Sequence, residues 1–147
     1  MISWIVGAIA LAIADRFLLK RSDISEIHLG EAEFLGGFVR VPITYKSRFP
    51  FLRGATIRYW MSDARKPTTV VEGDQRNLSY AKRGENCEWL FIPTEYMGGG
   101  KRLWLFTANV THGDSFVNPL YRIFPISKQV RRSYCLDLSQ EVNDDRK

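Results

Sequence analysis

Two histidines, His28 and His112, and two cysteines, Cys87 and Cys135, are the side chains of this sequence best suited to holding a metal or making a nucleophile. Their spacing supports neither use. A zinc centre draws its ligands from clustered pairs, and these four stand far apart, with no CxxC among them. A Cys–His nucleophile has no local signature here. His112, in Thr111-His112-Gly113-Asp114, reads as a turn residue. Gly98-Gly99-Gly100-Lys101 has the composition of a phosphate loop but lacks the following Ser/Thr and the strand-to-helix setting. It reads as a hairpin turn. The cysteines are free thiols in a reducing compartment, or one disulfide in an exported domain. No enzymatic activity and no cofactor are expected.

Cations are the remaining chemistry. Lys and Arg outnumber Asp and Glu by 21 to 16, a net charge of +5, which favours anionic neighbours such as lipid headgroups. Arg16, Lys20, Arg21, Arg53 and Arg58 are the candidate contacts to lipid or to a small anionic ligand. Tyr45, Phe49, Phe51, Tyr59 and Trp60 interleave with the basic residues of the same region. Aromatic platforms among cations hold nucleotides in some proteins. The same composition arises when a β-domain buries its aromatics and exposes its arginines, and without a nucleic-acid motif nucleic acid is not an expected partner. Two glycosylation sequons, at Asn77 and Asn109, read as chance matches.

These residues must be positioned by two kinds of segment. Residues 2–14 are all apolar or small, Asp15-Arg16 interrupt, Phe17-Leu18-Leu19 resume, and Lys20-Arg21 close the run. As a helix, residues 1–19 reach roughly 28 Å, just enough for a hydrocarbon core. Three readings compete. A secretory signal has basic residues before its apolar run, and none precede this one; an A-x-A-like site at Ala12 and Ala14 is followed at once by Arg16. A soluble core helix keeps a polar face, and residues 2–14 have none. A membrane anchor fits best, with Arg16 snorkelling to the interface. Basic residues only on its C-terminal side place the following domain in the cytoplasm, the periplasm or cell exterior being the alternative. Ser3, Gly7, Ala10 and Ala14 fall on one helix stripe, where small residues let helices pack closely in lipid.

Beyond a polar link, the period changes to two. Val39, Val41, Ile43 and Tyr45 alternate with polar positions, as do Ile57, Tyr59 and Met61. Pro42 lacks a donor, which predicts an edge strand or a bulge. "CEWLFIP" and "RLWLFTANV" are apolar on both faces, as central strands are, and flank the triple glycine. Trp89, Phe91, Leu103, Trp104, Leu105, Phe106, Ile123 and Phe124 are expected to line or flank the core. "LYRIFPISKQV" reads as the last clear strand, with "SYCLDL" a short element after it.

Seven to nine strands with regular turn signals predict an all-β fold. The architecture expected is an antiparallel, immunoglobulin-like β-sandwich, a small β-barrel being the alternative. The organisation is an N-terminal transmembrane helix over residues 1–21, the sandwich over 22–138 and a polar tail over 139–147. The function that follows is a membrane-anchored module that binds another protein and oligomerises through its anchor. The alternative is a ligand-sensing membrane effector whose cytoplasmic barrel takes a small anionic ligand such as a nucleotide. A third reading is an exported domain with a cleaved leader and a Cys87–Cys135 bond.

Overall fold

A computed structural model describes residues 1–52, 54–78, 80–113 and 118–139. The apolar run forms helix α1 (Ile2–Ala14), whose last turn widens to π geometry over Asp15–Leu19. Lys20 ends it in the left-handed conformation, its N–H donating to the Asp15 carbonyl at 3.0 Å. None of the α1 side chains is buried, so the reading as a core helix is set aside.

The rest is antiparallel β in two sheets. In the first, β1 (Ile24–Leu29) and β2 (Glu33–Leu35) pair in succession along one side of β3 (Phe38–Ser47), and β7 (Gly84–Pro93) pairs along the other. In the second, β4 (Thr56–Asp63) lies between β8 (Lys101–Thr111) and the short strands β5 (Val70–Glu72) and β6 (Arg76–Asn77), and β9 (Ser127–Asp137) follows β8. The alternation read from the sequence is the burial pattern. Val39, Val41, Ile43 and Tyr45 face Ile57, Tyr59, Met61, Trp104 and Phe106 in a single core. No backbone ladder joins the sheets among the described residues, so a sandwich forms and not a closed barrel.

Side chains close the gap at the sheet edges. Along β1, Lys128 Nζ donates to the Ile24 carbonyl at 2.7 Å and Arg132 to the Leu29 carbonyl at 2.9 Å, and Tyr134 Oη donates to Gly30. Along β7, Arg76 donates to the Trp89 carbonyl at 3.1 Å and Tyr59 Oη accepts from the Phe91 N–H at 3.3 Å. Backbone groups that would otherwise recruit another strand are thereby occupied.

Four expectations change. β7 and β8 do not form a hairpin: they lie in different sheets, and residues 94–100 arch between them. Nor is β7 a central strand, since among the described residues it pairs with β3 alone; the inward residues of the two strands are core, while Trp89, Phe91 and Leu105 on their outward faces are only half-buried. Pro42 is in an interior strand, opposite Trp89 of β7. Its carbonyl accepts from Gly30 N–H at 2.8 Å, so its donorless nitrogen faces the interval between β1 and β2 and costs the β7 ladder nothing. The stretch read as one last strand begins instead with a one-turn helix α2 (Leu120–Ile123), and all of "SYCLDL" except Leu138 belongs to β9. Leu103, Ile123 and Phe124 are exposed, whereas Trp104 and Phe106 are fully buried and Leu90 and Ile92 take the inward positions of β7. Cys87 on β7 and Cys135 on β9 are exposed free thiols in different sheets. Apart from Ser139, the polar tail lies outside the described residues.

Candidate functional site

The register puts one set of loops at one end of the sandwich. Ile24 and Gly84 both pair with Ser47, and Thr111 pairs with both Thr56 and Ser127. The segment entering β1, the described residues of the loops 48–55 and 78–83, and residues 112–113 and 118–126 therefore gather where α1 arrives. Hydrogen bonds join them: Arg48 N–H to the Asp23 carbonyl at 2.8 Å, Phe51 N–H to Ala81 at 3.1 Å, and Leu78 N–H to Ala55 at 2.9 Å. Buried beneath, His112 Nε2 lies 3.1 Å from Asp23 Oδ2, tying the start of β1 to the end of β8.

The helix does not simply lead into this end; it is bonded to it. Arg21 grips the Asp15 carboxylate in a two-pronged pair, Nε to Oδ1 at 2.6 Å and Nη2 to Oδ2 at 2.9 Å. Asn118 Nδ2 donates to the Ala12 carbonyl at 2.8 Å and to Asp15 Oδ2 at 3.0 Å. Tyr121, itself buried, donates its hydroxyl to the Asp15 carbonyl at 3.0 Å and accepts the Arg21 N–H at 2.9 Å. Arg16 donates to the carbonyls of Phe124 and Pro125, its guanidinium stacked near the rings of Phe17 and Tyr121. The Phe17 and Phe124 rings meet at 5.8 Å. The junction thus gives Asp15 a cationic partner in Arg21 and gives two of the Arg16 donors carbonyl acceptors.

Arg16, expected to snorkel towards lipid, is thus 9 % exposed and bonded within the protein. What replaces water around it, segment 118–126, is remote in sequence. Of the other candidate contacts, Lys20 is exposed, Arg21 is half-buried, and Arg53 lies outside the described residues. Arg58 is exposed on the outer face of β4, opposite Asn109, in a shallow depression with Trp60 and Glu72. The structure does not bring it to the helix. Ser3, Gly7 and Ala10 are exposed on the free part of α1, with open space around Gly7, while Ala14 is half-buried at the junction. His112, read as a turn residue, is buried, and Asp23, Asn118 and Tyr121 were not singled out at all. The signal for them is Asp15, a carboxylate inside an apolar run that needs partners from elsewhere in the chain.

Residues 2–19 form a helix of 18 residues, long and apolar enough to cross a membrane. Over residues 1–147 the sequence matches the model of a family described as LydB, LydA-holin antagonist. The chain belongs to this family. No curated protein matches it. Membership of the LydB family makes another protein, a holin, the object of its action, in line with the protein partner expected from the sequence.

Proposed function

We propose that this LydB-family chain antagonises its holin from within the membrane. Residues 1–21 stay on as a single-pass anchor, the sandwich of residues 22–138 lies on the cytoplasmic side, and the action is binding, without enzymatic chemistry. A holin is by definition a membrane-opening protein, so an antagonist with a free apolar helix meets it most directly in the bilayer. The stripe of Ser3, Gly7, Ala10 and Ala14 is the surface we assign to that meeting, whether with the holin's helices or with a second copy of this chain. Close approach at small residues gains dispersion contacts that lipid does not match.

The observation that carries the anchor is the junction. The folded domain spends Asn118, Tyr121 and Phe124 on residues 12–17. A cut after Ala14 would remove the Ala12 carbonyl that Asn118 holds, together with the helix that keeps Asp15 and Arg16 in place. Basic residues confined to the C-terminal flank support the cytoplasmic orientation.

The test is crosslinking in native membranes that contain the holin, together with the timing of membrane permeabilisation. The parent chain is expected to crosslink to the holin and delay permeabilisation, and Gly7→Leu with Ala10→Leu to do neither while remaining membrane-inserted. A double variant that crosslinks and delays as the parent does would overturn the helix-pairing assignment. A parent that delays permeabilisation without contacting the holin would overturn direct antagonism.

A further inference from the structure

Resting on the reading of α1 as an anchor, we infer that the helix end of the sandwich is itself a membrane-docking surface that takes anionic lipid headgroups. Depth is the first argument. Segment 118–125 is bonded alongside the last two turns of the helix, Asn118 to Ala12 and the Phe124 and Pro125 carbonyls to Arg16. Eighteen residues reach only about 27 Å, slightly less than a typical hydrocarbon core of about 30 Å, so the whole of Ile2–Leu19 is needed to cross. Whatever flanks Ala12 to Leu19 must then sink with them, through the headgroup layer to the edge of the hydrocarbon beneath it.

The side chains that flank it suit that place. Ile123 is 67 % exposed and Phe124 47 %, on the one-turn helix beside Arg16 and at its end. The neighbouring loops present Phe49, Phe51 and Tyr80, the last two 70 % and 88 % exposed. Phe51 holds a left-handed backbone, φ 60°, a costly conformation for an aromatic residue, and its side chain is turned to the outside. Gly54 shares a small cleft with Tyr121, Arg122 and Pro125, which places the loop of residues 48–55 beside α2.

Charge is the second argument. Arg48, Lys82, Arg83 and Arg122 are exposed on the same loops, and the segments 48–55, 78–83 and 118–126 contain no Asp or Glu. The opposite end is mixed in sign: the β7–β8 connection carries Glu95 and leads into Lys101, and the β4–β5 connection carries Arg65 and Lys66. Exposed aromatic and aliphatic side chains mixed with exposed cations match the headgroup layer of an anionic leaflet, where rings sit at the carbonyl level and cations meet phosphate. Docked so, the sandwich does not swing on its anchor but stands upright on the bilayer, with residues 34–38 and 94–100 farthest from it.

The experiment uses the full chain with Cys87→Ser and Cys135→Ser, reconstituted in vesicles of phosphatidylcholine with phosphatidylglycerol. An environment-sensitive fluorophore is attached at Phe51→Cys, Tyr80→Cys or Ile123→Cys, all exposed positions, and at Phe38→Cys at the far end as the control. The first three are expected to be quenched by spin-labelled lipid and to resist aqueous iodide several-fold better than the fourth. Arg48→Glu with Arg122→Glu, or vesicles of phosphatidylcholine alone, should shift them towards water. Labels at 51, 80 and 123 as open to iodide as the label at 38, in chain that has inserted, would overturn the docking surface and leave the anchor standing. Equal depth in both lipids and in the charge-reversed variant would overturn the assignment to anionic headgroups. Chain that fails to float with vesicles would overturn the anchor, and the docking surface with it.

Discussion

Tyr121→Phe isolates the rigidity of the junction from the stability of the sandwich. The ring is retained, which matters because it packs hard against the backbone: a Cβ on Gly113 would stand 2.3 Å from its Cδ1. Only the hydroxyl goes, and with it two bonds, one accepted from the Arg21 N–H at 2.9 Å and one donated to the Asp15 carbonyl at 3.0 Å. Each is worth about 0.5–1.5 kcal/mol net, so the closed junction loses about 1–3 kcal/mol. At about 1.4 kcal/mol per decade, that raises the open population roughly 5- to 150-fold. Hydrogen exchange in a lipid nanodisc reads it: the amides of residues 19–21 should exchange faster by that factor. Those of Ile57 and Phe106, inside paired strands, should not change. Unchanged exchange at residues 19–21 would mean that the hydroxyl does not hold the helix. Equal acceleration everywhere would mean that junction and sandwich open together and that no separate hinge exists.

The remaining predictions concern the sandwich. Phe106→Ala should cost about 3–5 kcal/mol by denaturation, since the ring is fully buried, while Leu103→Ala on the same strand should cost well under half as much because Leu103 is 47 % exposed. Burial pushes the Tyr45 and Tyr134 hydroxyls up to about 12. Their neutral forms are favoured in the fold, so stability is full below pH 10 and falls as pH rises towards about 12, and a tyrosinate absorbance titration should show a late-ionising fraction. The Tyr45 hydroxyl is buried and finds no partner among the described residues, so Tyr45→Phe should be neutral or stabilise by about 1 kcal/mol and shrink that fraction. Asp63 is held below the usual carboxylate range by the Arg65 N–H, with Arg102 adding to the effect, so its contribution is present above about pH 4 and is lost as pH falls further. Asp63→Asn should flatten the acid limb of a stability–pH curve, and an unchanged limb would contradict that reading.

β3 and β4 were legible because one of their faces is core and the other is not, so the side-chain period of two appears in the residue types. β7 and β8 were legible as strands but not in their partnership, because periodicity reports burial and says nothing of which sheet a strand joins. Pro42 misled for a related reason: a proline excludes a ladder bond on one side only, and the interval between β1 and β2 happens to lie on that side. The membrane-length helix was legible from hydropathy. The junction was not, since Asn118 meets Ala12 across 106 residues of sequence. Arg16 was assigned to lipid because its destination depends on carbonyls that only the fold delivers.

The central claim is that the apolar helix remains part of the working protein and places it against its holin in the membrane. Intact-mass spectrometry of the chain crosslinked to the holin in detergent-extracted membranes tests it most directly. The account predicts an adduct whose LydB-family component still carries residues 1–21. A holin adduct formed by a chain that begins near residue 15, or holin contact found only in the soluble fraction, would contradict it.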